Sequence, residues 1–115
     1  MKSYMKYNEE DVFVMGTLHV SNGTSALMLL DKDGGPVARA TVNLNLDDVK
    51  DNTVWIKDYA ENEGILKTLI ENDIVVVIGK AVRHFNTHDV IFYEAQVIDE
   101  DVLKQLDEAR ERIKK

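Results

Sequence analysis

The sequence predicts an α+β domain with a mostly antiparallel sheet, ordered β-β-β-β-α-β-β-α, with one helix inserted and one at the C-terminus. Three observations carry that expectation. Short β-branched and aromatic runs recur at 12–20, 24–30, 37–44, 53–57, 74–82 and 90–98. Turn-forming clusters, Asn22-Gly23 foremost, separate several of them at hairpin spacing. The apolar period changes from strand-like to helical after Asp58 and again after Asp99.

The chain opens on a polar stretch, 1–11, in which Lys2, Lys6, Glu9, Glu10 and Asp11 surround Tyr4 and Tyr7. This composition predicts a flexible arm ahead of a single domain over 12–115, unless the tyrosines are tied onto the core. The first strand is 12–20, and Asn22-Gly23, both tolerant of positive φ, returns the chain into 24–30. Asp31-Lys32-Asp33-Gly34-Gly35-Pro36 reverses it again. In 37–44, Val37, Arg39, Thr41 and Asn43 alternate with Ala38, Ala40, Val42 and Leu44, which completes a three-stranded meander. Residues 45–52, with Asp47, Asp48 and Asp51 against Lys50 alone, read as a loop before strand 53–57.

Asp58 and Glu61 have the spacing of a capping box, and Ile65, Leu66, Leu69 and Ile70 then share one helical face. Asn72 is the expected left-handed stop. The continuous apolar run 74–78 reads as a buried central strand continuing to Val82, with Gly79 marking a bulge. Residues 84–89 form a hairpin tip and 90–98 the last strand. Asp99 caps a terminal helix whose apolar stripe is Val102, Leu103, Leu106, Ala109 and Ile113. Acidic Asp99, Glu100 and Asp101 at its start and Lys114 and Lys115 at its end complement the helix dipole.

Fourteen basic against twenty-one acidic side chains leave a charge of -7, which repels nucleic-acid phosphate and anionic lipid. Without cysteine there is no disulfide, thiolate zinc site, iron–sulfur ligation or cysteine nucleophile. No apolar stretch approaches the roughly twenty residues that span a bilayer, and the opening lacks a signal-peptide core. A cytoplasmic protein without membrane or direct nucleic-acid contact is expected.

His84 and His88 flank a predicted turn, where a structural role outweighs metal ligation. Asp31-x-Asp33-Gly lacks the glycine position and distant glutamate of a calcium loop. Neither a G-x-S-x-G elbow, a P-loop nor a G-x-G-x-x-G is present. Glu61 and Glu63 beside Lys57 point apart in a helical first turn, so acid–base work is not expected of them. Neither catalytic residues, nor a cofactor, nor a metal are expected. The acidic groups Asp47, Asp48 and Asp51, and Asp99, Glu100 and Asp101, serve solubility first; imitation of nucleic-acid phosphate is the second reading.

Thr41-Val42-Asn43-Leu44, Trp55-Ile56-Lys57-Asp58-Tyr59-Ala60-Glu61-Asn62-Glu63-Gly64-Ile65-Leu66, Leu69-Ile70 and Gly79-Lys80 carry a resemblance. This stretch resembles a family of small domains of unknown function borne by phages and mobile elements of Gram-positive bacteria. The family's marks are a T-V-N-L strand, an I-K-D-Y-x-E-N-E-G segment and a terminal strand pair. The chain departs from it in a longer first hairpin and a charged C-terminal helix. The resemblance implies a context: an accessory protein in an infected bacterial host that binds and inhibits a host protein, a defence component for instance, without catalysis.

The partner-binding residues expected are Lys57, Asp58, Glu61, Asn62 and Glu63 around the helix start, together with Asp47, Asp48 and Asp51. The alternative from another class is a small-ligand binder that sequesters a nucleotide-type signal. In it Lys57, Lys80, Arg39 and Arg83 supply charge, against the opposing Glu61 and Glu63. A homodimer is also expected, from an open meander edge, an apolar strand such as 24–30 and the appended amphipathic helix.

Overall fold

The computed structural model describes residues 3–7, 9–19, 24–42, 52–58, 64–85 and 88–113. Its strands are β1 (Ser3–Tyr7), β2 (Glu10–Leu18), β3 (Ser25–Leu30), β4 (Pro36–Arg39), β5 (Thr41–Val42), β6 (Thr53–Lys57), β7 (Val75–Phe85) and β8 (His88–Val97). Helix α1 (Ile65–Glu71) lies between β6 and β7, and α2 (Glu100–Ile113) follows β8. The strands form two antiparallel four-stranded sheets, β1-β2-β3-β4 and β5-β6-β8-β7. The expected α+β class and order of strands and helices therefore hold, with β1 added and the expected third strand divided.

The opening segment contributes a strand where its composition suggests an arm. β1 pairs with β2 from Ser3 opposite Val14 to Tyr7 opposite Glu10, and Met5 and Tyr7 are buried. Tyr4, on the other face, meets Phe13 edge-to-face with ring centroids 5.7 Å apart, and its hydroxyl donates to Asp11 Oδ1 at 2.6 Å. Two buried side chains and a cross-strand aromatic pair offset the cost of ordering this polar stretch.

Expected strand 37–44 changes sheets at Ala40. Its N–H donates to Leu27 O at 3.1 Å and its carbonyl accepts from Lys57 N at 2.9 Å, so one fully buried alanine is bonded to β3 and to β6. Pro36, which cannot donate to a ladder, stands at the start of edge strand β4, where that costs least.

The core lies between the sheets and the helices. Val12, Val14, Leu27 and Leu29 of the first sheet join Val54, Ile56, Ala95 and Val97 of the second. Ile65, Leu66 and Leu69 from α1 and Val102 and Leu106 from α2 close the same cluster. Ile70, expected on the buried face of α1, is exposed.

Helix α1 begins six residues later than a cap at Asp58 would place it, after Gly64 at φ 88. Asp58 nevertheless serves its N-terminus from a distance, because Oδ1 accepts from Leu66 N at 3.0 Å. The helix ends in a Schellman arrangement: Ile74 N donates to Leu69 O and Asp73 N to Ile70 O. The left-handed residue is Asp73 at φ 58, whereas Asn72, expected there, has φ -97. Asn72 instead donates its side-chain amide to Thr68 O at 2.8 Å.

Asp99 caps α2 as the sequence predicts, accepting from Val102 N at 3.0 Å. The helix lies so close to β2 that a Cβ on Gly16 would stand 2.9 Å from Val102 O. Arg110 then ties the helix to both sheets, donating to Ser25 Oγ at 3.4 Å and to Asn52 Oδ1 at 2.8 Å while paired with Asp107.

Candidate functional site

Two of the residues expected to bind a partner are described, and both have structural duties. Lys57 ends β6, is half-buried, and lies opposite Phe92 of β8 while its backbone N–H holds Ala40. Asp58 spends its Oδ1 on the Leu66 N–H, which sets a carboxylate at the start of α1. Glu61, Asn62, Glu63, Asp47, Asp48 and Asp51 lie outside the described residues.

The other candidate groups are equally local. Asp31 Oδ1 accepts from Asp33 N at 2.9 Å and Gly35 N at 2.8 Å, so its carboxylate closes its own turn. Of the hairpin tip expected at 84–89, His84 and Phe85 continue β7 and His88 and Asp89 begin β8, His84 opposite Asp89 and Phe85 opposite His88, while Asn86 and Thr87 lie outside the described residues. Trp55 sits in the row Val42, Trp55, Glu94, Gly79 across the second sheet, and its indole N–H is buried without a partner among the described residues. His19, just beyond β2, is pushed below the ordinary histidine value by burial and by the nearby Arg39 charge.

The feature the sequence reading missed is the position of β7. The run 74–78 was expected in the centre of a sheet; β7 is instead an edge, bonded to β8 on one side. Val76 is 45% exposed, Ile78 48% and Val82 45%, and Ile91, opposite Val82 on β8, is 39% exposed. Composition alone does not reveal this, because an apolar run has the same letters at the centre and at the edge of a sheet. The available signal was Lys80 and Arg83, since charged residues, lysine above all, typically guard edge strands.

The ladder between β7 and β8 shifts register between Val77 and Gly79, the bulge expected at this glycine. A side chain on Gly79 would meet Glu94 Oε1 at 2.8 Å. Beyond the bulge the pairing is regular from Gly79 opposite Glu94 to Phe85 opposite His88. Because β6 ends at Lys57 opposite Phe92, the ladder of β7 and β8 extends past it from Ile91 and Val82 onward. Lys80 lies opposite Tyr93, still alongside β6, and Arg83 lies beyond its end, donating Nη1 to Val82 O at 3.4 Å; neither has an ion pair among the described residues.

The apolar strand 24–30 lies between β2 and β4 as β3, so the edges of the first sheet are β1 and β4. No helix among the described residues is long and apolar enough to cross a membrane. Comparison with family models, curated proteins and solved structures finds no match. The candidate site is a strand edge unpaired among the described residues, with apolar side chains and two cations that form no ion pair among those residues, on a chain of net charge -7.

Proposed function

We propose that this chain is a phage or mobile-element accessory protein that binds a bacterial host protein and inhibits it by occupying a surface, without catalysis. The observation that carries the reading is the open edge of β7, where Val76, Val77, Ile78 and Val82 are all exposed. Apolar side chains grouped on an unpaired edge are costly to a protein that works alone and useful to one that binds another. The resemblance of 41–44 and 55–66 to mobile-element domains supports the setting. Asp58 weighs against the nucleotide alternative, since its carboxylate takes the helix N–H that a phosphate would need.

Affinity capture from bacterial lysates tests the proposal. The unaltered chain should retain one dominant protein at a defined ratio, and Val82→Asp with Ile91→Asp should release it while the melting curve stays that of a folded protein. Capture of nothing across several hosts, or capture indifferent to these substitutions, contradicts it.

A further inference from the structure

We propose that the edge of β7 takes up an extended, acidic segment of the partner as an additional antiparallel strand. This deepens the protein-binding reading and rests on it. An edge strand presents unpaired backbone N–H and C=O groups, and every pairing in this sheet is antiparallel, the geometry such an addition would continue.

The side chains along the edge decide which strand fits. Beyond the bulge, side chains alternate between faces, so Lys80 and Val82 lie on one face and Ala81 and Arg83 on the other. A partner residue opposite Val82 meets an exposed apolar side chain, and residues opposite Lys80 and Arg83 each meet a cation without an ion pair among the described residues. Read in the partner's direction, the complementary segment is therefore acid, apolar, any residue, acid.

A second copy of this chain does not meet that requirement. Pairing β7 with itself across a two-fold centred on the strand sets Lys80 opposite Lys80, and it brings together two chains of charge -7. Like charges directly opposite destabilise a ladder, so the lysine that discourages self-pairing is the one that selects a carboxylate.

The probe is a short blocked peptide with a Glu-Val-Thr-Glu centre, compared with one in which both glutamates are lysine. Each is titrated into the isotope-labelled chain and followed by amide shifts and hydrogen exchange. The glutamate peptide should bind about tenfold more tightly than the lysine peptide and protect amides within Val75–Phe85. The double variant Lys80→Glu with Arg83→Glu should reverse that preference. Lys80→Gln with Arg83→Gln, which adds no charge, should abolish it, and it keeps the test decisive if the reversal variant does not fold.

No binding of the glutamate peptide at millimolar concentration overturns the proposal. So does equal affinity for the two peptides, protection away from β7, or a dimer in sedimentation with β7 protected before peptide is added. A host protein captured with unchanged affinity by the Gln variant removes strand addition and leaves the protein-binding reading standing. Peptide binding as described without any captured protein does the reverse.

Discussion

The backbone N–H of Gly16 donates to Oε1 of Gln105 at 2.7 Å, across 89 residues of sequence. Gly16 lies two residues along β2 from Val14, which pairs with Ser3 of β1, and on its other side it pairs with Leu27 of β3. A side chain from α2 therefore satisfies a strand N–H of β2, and the absence of a side chain at Gly16 lets the helix come close enough to do so.

Gly16→Ala should therefore destabilise the fold by about 1–3 kcal/mol, because the new Cβ meets the Val102 carbonyl, which cannot rotate away. Gln105→Ala should cost about 1–3 kcal/mol by leaving the Gly16 donor unsatisfied. Urea unfolding measures both. Wild-type stability in Gly16→Ala would falsify the close packing of α2 on β2.

Asp58→Ala should lower stability by about 0.5–2 kcal/mol through loss of the bond to Leu66 N. Asp58→Asn, which keeps an acceptor oxygen, should recover part of it. Equal losses in the two variants would mean that Asp58 acts through charge alone and not as a cap.

At Asp73 the backbone is left-handed, φ 58, so the order of stability should follow tolerance of positive φ. Asp73→Gly should match or exceed the native chain, and Asp73→Val should lose about 1–2 kcal/mol. Thermal unfolding of the two variants decides the point; a valine variant as stable as the glycine one contradicts the Schellman ending of α1.

Burial, with Arg39 adding to it, holds His19 below its ordinary value, so the folded state favours the neutral imidazole. The associated stability is present above the unfolded value of 6.5 and is lost as the pH falls through the lower folded value. Chemical unfolding at about pH 7.5 and about pH 5.5 should show a loss on acidification that His19→Gln reduces. An identical pH dependence in that variant would place the titration elsewhere.

What the sequence made legible is what neighbouring residues decide. The Asp99 cap, the bulge at Gly79 and the self-closing Asp31 turn each depend on a few adjacent side chains. What escaped depends on distant partners. Asp58 caps a backbone group eight positions away, β1 is ordered by the buried Met5 and Tyr7, and Ala40 is bonded to two sheets at once. The candidate site belongs to this second kind: only the strand order β5-β6-β8-β7 makes an apolar run into an open edge. The expected acidic site residues at 47–51 and 61–63 fall outside the described residues, while Lys57 and Asp58 are engaged in holding the fold.

The central claim is that β7 is the surface through which this chain holds its partner. Amide hydrogen exchange of the chain, alone and in complex with the host protein it captures, tests that most directly. New protection should be concentrated in Val75–Phe85, with little change in β3 and β6, which already lie inside their sheets. Protection confined to 45–51 or to α2, with β7 exchanging as it does in the free chain, would contradict it.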